Sequence, residues 1–232
     1  MTFNPSISVI IPCFNEKNTI EDIISKVNKT PFVKEIIIID DASSDGTQLI
    51  LNKLKKKNIK IFFNTKNYGK GYCLRKGIKE AKNDITIFQD ADLEYDPAEY
   101  VELITPFNNS KTDVVYGSRF LGLKPHYSLY FWNIIANKII TWLSNYLTKL
   151  NLTDVETCYK AIKTPILKSL TLKENRFGIE PEITAKLAKK NVVFQEVGIS
   201  YNGRTVKEGK KITFKDGLSA IWCILKYNLL EK

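Results

Sequence analysis

Residues 88 to 100 read FQDADLEYDPAEY, and their acids alternate: Asp90, Asp92, Glu94 and Asp96. They follow the apolar run Ile85-Thr86-Ile87-Phe88. In an extended segment the side chains at i and i+2 point the same way. Four carboxylates would then crowd one face and repel each other, so a positive partner is required. A divalent cation such as Mg²⁺ or Mn²⁺ meets that need. Hard cations take oxygen ligands and bind through one or two carboxylates plus substrate phosphates. A metal on Asp90 and Asp92 would tie the chain to a nucleotide diphosphate and neutralise charge on that group as it leaves. Alone, Asp-x-Asp is a frequent chance pair whose ordinary reading is a solvated loop. Its place directly behind a buried strand gives it weight.

The elements that must position these acids follow two alternating periods. The runs 7–12, 35–40, 60–64 and 84–92 are short, β-branched and almost continuously apolar, as in strands buried on both faces. Residues 113–120 form a fifth such run. Helical patterns separate them: one opened by a capping box of Asn18 and Glu21, then 46–57 and 69–82, then a segment beginning at Pro97, where a helix's first turn tolerates proline. Strict alternation predicts an α/β fold, a mostly parallel sheet flanked by helices. Such sheets bind ligands beyond the carboxyl ends of their strands. Those ends collect polar and acidic residues: Pro12 to Glu16, Asp40 to Gly46, Asn64 to Gly71, Asp90 to Asp92 and Gly117 to Arg119.

The second half is different. Residues 126–150 are aromatic-rich, with Trp132, Ile135, Ile139, Leu143 and Tyr146 at helical spacing, and predict a broad amphipathic helix. A helical pattern over 176–190, a strand over 192–201 and a last amphipathic helix over 216–230 follow. There is no internal repeat, low-complexity segment or linker, and residues 1–232 read as one domain.

Composition narrows the function. The chain has 232 residues and a net charge of +10, which suggests anionic partners or an acidic membrane surface. The acidic edge of the predicted sheet argues against a nucleic-acid binder, and no GxGxxG follows the first strand, which argues against a dinucleotide enzyme. Cys13, Cys73, Cys158 and Cys223 form no CxxC pattern and read as reduced, structural thiols in a cytosolic setting. The N-terminus lacks a signal-peptide pattern. No stretch approaches the roughly 18 to 20 apolar residues of a spanning helix.

The strings SVIIPCFNE, IIIIDDASSDGT, NYGKGYCLRKGIKEA, QDADLEYDP, VVYGSRF, LTDVETCYKAI, RFGIEPEITAK and ISYNGRTVKEGKKI occur in this order over nearly the whole chain. Together they resemble family 2 glycosyltransferases of the GT-A fold, above all the dolichyl-phosphate mannose synthase and polyprenyl-phosphate glycosyltransferase group. The resemblance implies that Pro12, Phe14 and Glu16 line a nucleotide site, that Asp41, with Asp40 beside it, contacts base or ribose, and that Lys70 and Gly71 lie along the donor. Asp90 and Asp92 would hold metal and diphosphate, with Ala91 between them at the donor and Glu94 as third ligand, a position often Gln in this group. Arg119 would meet an acceptor phosphate. Arg204 and Lys210 or Lys211 would sit on a loop closing over donor phosphates; without the resemblance Arg204 and Lys210 read as surface residues. Arginine forks onto phosphate oxygens, and lysine supplies a mobile point charge.

The chain holds one histidine, His126. A sugar-hydroxyl acceptor needs a base to remove its proton. A phosphate monoester, with a second pKa of about 6, does not. The implied reaction is therefore inverting transfer of mannose or glucose from GDP-mannose or UDP-glucose to a polyprenyl or dolichyl phosphate. The acceptor phosphate would be met by Arg119, with His126 and Lys124 as weaker candidates. The helix over 126–150 would lie in a membrane interface. The protein would then be peripheral at the cytoplasmic membrane face, or docked on a membrane-protein partner. Two other readings stand beside this one. A hydroxyl acceptor would need a base among Asp154, Glu156, Glu180 and Glu182, which otherwise read as local caps, first-turn helix acids or donor-sugar contacts. A catalytically silent nucleotide-sugar-binding partner would bind donor without turnover.

Overall fold

The computed structural model describes residues 5–54, 56–122, 126–127, 131–204 and 214–231. Seven strands form one sheet in the order β3-β2-β1-β4-β7-β5-β8: β1 (Ile7–Cys13), β2 (Val33–Asp40), β3 (Ile59–Phe63), β4 (Ile85–Phe88), β5 (Val114–Ser118), β7 (Lys160–Lys163) and β8 (Phe194–Gly198). The helices between them are α1 (Ile20–Lys29), α2 (Thr47–Lys53), α3 (Lys70–Glu80), α4 (Tyr100–Ile104), α5 (Phe131–Thr148), α6 (Thr164–Lys168), α7 (Ile179–Ala188) and α8 (Phe214–Leu225). A two-stranded ribbon pairs β6 (His126–Tyr127) with β9 (Tyr201–Asn202).

The apolar runs became strands because both faces of the central sheet are covered. Ile36 to Ile39 of β2 are fully buried, each side chain contributing roughly 2 kcal/mol of apolar burial. The parallel pairing of β1 with β2 and β4 brings the ends of three runs to one edge. Gln89, the first residue past β4, is locked there: Tyr100 and Tyr159 both donate to its Oε1, at 2.7 and 2.8 Å.

The sheet is mostly parallel, as expected, with β7 running antiparallel to both β4 and β5. Other expectations change. The strand over 84–92 stops at Phe88. No capping box forms at Asn18: α1 is entered from Thr19, whose hydroxyl bonds the Glu16 carboxylate at 2.9 Å. The helix over 126–150 is shorter, with β6 occupying its first two positions. The last helix begins at Phe214 and ends in a π turn, Lys226–Leu230. All four cysteines are buried thiols outside any disulfide. Among the described residues no helix is long and apolar enough to cross a membrane.

Candidate active site

The alternating acids do not share a face. Leu93 has φ 62°, so the chain reverses just after Asp92 and each carboxylate finds its own partner. Asp90 Oδ1 lies 2.8 Å from Lys70 Nζ, and Asp92 Oδ2 accepts from Arg204 Nη2 at 2.7 Å. Glu94 accepts from the Arg204 backbone N–H at 2.8 Å and from the Tyr201 hydroxyl at 2.8 Å. Asp96 points elsewhere, capping the turn at Pro97–Glu99 through Ala98 N. Crowding on an extended face is thus replaced by a folded turn with two cations in it.

Arg204 is the centre of this cluster. Its guanidinium also reaches Glu16, at 3.1 Å through Nη1 and 3.3 Å through Nη2. Glu16 is held at the end of β1 by a Thr47 hydroxyl accepting its N–H at 3.0 Å. Lys70, the first residue of α3, bridges Asp90 to Glu180 Oε1 at 3.2 Å. Glu180 also pairs with the fully buried Lys160 at 2.5 Å. Two neighbouring ion-pair groups result: Lys70 and Lys160 balance Asp90 and Glu180, whereas Arg204 faces Glu16, Asp92 and Glu94, a formal excess of two negative charges among the described residues. Burial disfavours the charge on Lys70, but Asp90 above all holds it well above the ordinary lysine range. Asp90, penalised by burial but paired to Lys70, stays below the usual carboxylate range, whereas Asp92 is driven above it by burial and by the charges of Asp90 and Glu94. An all-oxygen donor set with two uncompensated negative charges fits a hard divalent cation. Asp90 and Asp92 would hold it, with Glu94 alongside. Among the described residues no three His, Cys, Asp or Glu are preassembled as ligands, because Lys70 and Arg204 stand between the acids.

Arg119 forms a second centre, at the end of β5. Its Nε and Nη2 fork onto Asp154 at 2.7 and 2.9 Å, and its backbone N–H donates to the same carboxylate at 3.1 Å. Asp154 is raised by its burial but more than offset by Arg119, which keeps it ionised. The Arg119 guanidinium lies 5.1 Å from the centre of the Tyr201 ring. Tyr201 therefore joins the two centres, with its ring under Arg119 and its hydroxyl on Glu94.

The other expected site residues divide. Pro12 and Phe14 are half-buried beside Glu16. Asp41 is engaged by the chain itself: its carboxylate accepts from Asn64 Nδ2 at 2.8 Å, Tyr68 N at 3.0 Å and Gly69 N at 2.7 Å, shaping the entry to α3. Asp40 accepts from Ser43 N and Gln48 Nε2. Gly71 seats a loop, since a Cβ there would lie 2.4 Å from the Glu174 carbonyl oxygen. Ala91 is packed into the apolar core. Glu182 accepts from Lys173 N, Glu174 N and Lys186 Nζ and holds the same loop. His126 lies in β6, its backbone paired with Tyr201. Lys124, Lys210 and Lys211 fall outside the described residues.

Glu156 stands apart from the other acids. Its Oε1 is sealed from solvent with no hydrogen-bond partner. Burial pushes its carboxyl up to about 7, against the pull of Lys160. Tyr201, Lys160 and Asn137 were not singled out by sequence reasoning. The only signal for Tyr201 was its place three residues before Arg204 in SYNGR.

A central sheet with acids gathered beyond the carboxyl ends of its strands, flanked by cations, defines a nucleotide-sugar-transferase type of architecture. The family model for Glycosyl transferase family 2 matches residues 8–170, and the chain belongs to that family. It is similar to an uncharacterized protein of Methanocaldococcus jannaschii, 27% identical over 96% of this chain and 99% of that one. It is also similar to a dolichol-phosphate mannosyltransferase of Pyrococcus furiosus, 29% identical over 89% of this chain; the match spans 60% of that relative's length. In solved structures it resembles glucosyl-3-phosphoglycerate synthase of Mycobacterium tuberculosis, with TM-score 0.74 and 18% identity over 97% of this chain and 80% of that one. That structure holds Mn²⁺, UDP and glucosyl-3-phosphoglycerate, and another of the same enzyme holds Mg²⁺ and UDP. The fold is GT-A, and the chain is a glycosyltransferase.

Proposed function

We propose that this glycosyltransferase is inverting and metal-dependent, and that it moves mannose or glucose from GDP-mannose or UDP-glucose to a polyprenyl or dolichyl phosphate at the cytoplasmic face of a membrane. One observation carries the reading. An acidic, cation-laced donor centre at Asp90, Asp92 and Arg204 is joined through Tyr201 to a separate arginine centre at Arg119. The similarity to the dolichol-phosphate mannosyltransferase supports the choice of acceptor.

Asp90 and Asp92 would hold a divalent cation, which would supply charge neutralisation at the donor diphosphate. Lys70 and Arg204 add cationic donors at the same place. For Arg204 to reach donor phosphates it must exchange Glu16 and Asp92 for phosphate oxygens. Arg119, prefixed by its fork on Asp154, presents a guanidinium to the acceptor anion. A phosphate dianion attacks without a base, so the chain's tasks are positioning and exclusion of water. Exposed Trp142 and Tyr146 of α5, and Trp222 of α8, suit a bilayer interface where the acceptor's lipid tail resides.

Glu156 favours a second reading. An unpartnered buried carboxyl near neutrality is poised to take a proton from a sugar hydroxyl. Two substitutions separate the donor and acceptor centres. Asp92→Ala should abolish turnover and weaken metal-dependent nucleotide binding. Arg119→Ala should leave nucleotide binding intact and raise the acceptor KM at least tenfold. Near-normal activity of either variant contradicts its role.

A further inference from the structure

Helix α5 is more than a simple core helix: Ile140, with Leu143 and Leu147, packs on α8, yet polar residues are buried beside them and large apolar ones face out. Its outward side carries Ile139, Trp142 and Tyr146, exposed by 53%, 66% and 62%. Its inward side carries Asn137, Thr141 and Ser144, all buried. Buried polar side chains persist where they are hydrogen-bonded, and the bonds of Asn137 and Thr141 run to one place.

Asn137 Nδ2 donates to Asp154 Oδ1 at 3.0 Å, the same oxygen that accepts from Arg119 Nη2. The hydroxyl of Thr141, one turn on, donates to Asn137 Oδ1 at 3.1 Å. That hydroxyl accepts the N–H of Val155 at 3.2 Å. Each group in this chain has a fixed sense. An ionised Asp154 only accepts, so the amide side of Asn137 must face it, and Thr141 keeps its proton for Asn137 because its lone pair takes Val155. Two consecutive residues, Asp154 and Val155, are thus clamped to a single turn of α5. Asp154 in turn fixes Arg119 by three bonds.

We propose that Asn137 and Thr141 are positioning residues for Arg119, acting through Asp154, so that α5 sets the orientation of the acceptor-binding guanidinium. This rests on the reading that Arg119 receives the acceptor phosphate. The two residues do not touch substrate. They hold the carboxylate that fixes both the tilt of the fork and the backbone of residue 119. Without the clamp, Asp154 keeps its arginine and its backbone bond to Glu196, but its carboxylate loses the bond that orients it against α5.

The test uses the full chain with a short-chain polyprenyl phosphate and the nucleotide-sugar it turns over. Asn137→Ala should raise the acceptor KM about tenfold, the loss of one charge-assisted hydrogen bond, with kcat and donor affinity within twofold. Thr141→Val should act in the same direction by a few-fold, and Thr141→Ser, which keeps the hydroxyl, should restore the wild-type value. Amide hydrogen exchange at Arg119 should quicken at least fivefold in Asn137→Ala and Thr141→Val. An unchanged acceptor KM together with unchanged exchange overturns the proposal. So does a parallel loss of donor and acceptor affinity tracking a fall in Tm, the mark of a merely structural role. If the wild-type chain does not use the lipid phosphate, the acceptor reading fails by itself. Exchange at Arg119 then decides the clamp: faster exchange in the variants supports it, and wild-type exchange refutes it.

Discussion

Replacing Glu156 by glutamine should make the protein more stable at alkaline pH while leaving transfer to a phosphate acceptor almost untouched. The carboxyl is raised from 4.5 to about 7, chiefly by burial. Its Oε1 has no partner to offset that burial. The sign follows from linkage. Between pH 4.5 and 7 the folded chain holds a proton on Glu156 that the unfolded chain has released, so stability falls as pH rises through that window. A displacement of about 2.5 pH units corresponds to about 3 kcal/mol at pH 8. The residue is partly exposed, and solvent screening brings the expected figure to about 1–2 kcal/mol. Glutamine keeps the shape and removes the titration. Urea denaturation of both proteins at pH 4 and pH 8 reads the effect directly. Near-equal stability at pH 4 and a gain for Glu156→Gln at pH 8 are expected. Parallel pH profiles would refute the reasoning. The same variant separates the two acceptor chemistries, since a general base contributes roughly 10²–10⁴-fold. Loss of that size in a folded Glu156→Gln protein would assign Glu156 as base and move the acceptor to a hydroxyl.

Three further outcomes follow from the packing. Lys160→Met leaves Glu180, Val155 O and Thr157 O without their buried cation and should cost about 3–5 kcal/mol, lowering Tm by roughly 10 °C in thermal unfolding. Gly71→Ala forces a methyl against the Glu174 carbonyl oxygen at 2.4 Å and should destabilise the chain by at least about 1 kcal/mol, with a higher KM for the nucleotide-sugar as α3 carries Lys70 away from Asp90. Trp142→Ala combined with Trp222→Ala removes two exposed indoles and should weaken sedimentation with anionic phospholipid vesicles at least tenfold without changing Tm.

The sheet was legible where strands are buried on both faces, as in β2, because continuous β-branched runs have few other uses. β7 was not. It is four residues long, begins at Lys160 and ends at Lys163, and its first lysine is buried only because Glu180 and two carbonyls receive it. The importance of Asp90 and Asp92 was legible from their place behind β4. Their geometry was not, because Leu93 takes a left-handed conformation with no glycine or asparagine to announce it. The partners of the acids lay out of reach of local spacing, since Arg204 follows Asp92 by 112 positions. Only the resemblance drew it in. Asn137 read as part of an ordinary polar stripe, since a helical wheel does not distinguish a solvated amide from one bonded to a buried carboxylate.

The central claim is tested most directly by incubating the purified protein with GDP-mannose or UDP-glucose, Mg²⁺ or Mn²⁺ and a short-chain polyprenyl phosphate, and following glycolipid formation. The account predicts a glycosyl phosphate of inverted configuration from one of the two donors, lost on chelation and restored by the metal. Metal-dependent donor binding with no glycolipid, alongside transfer to a sugar hydroxyl or no transfer at all, would contradict it.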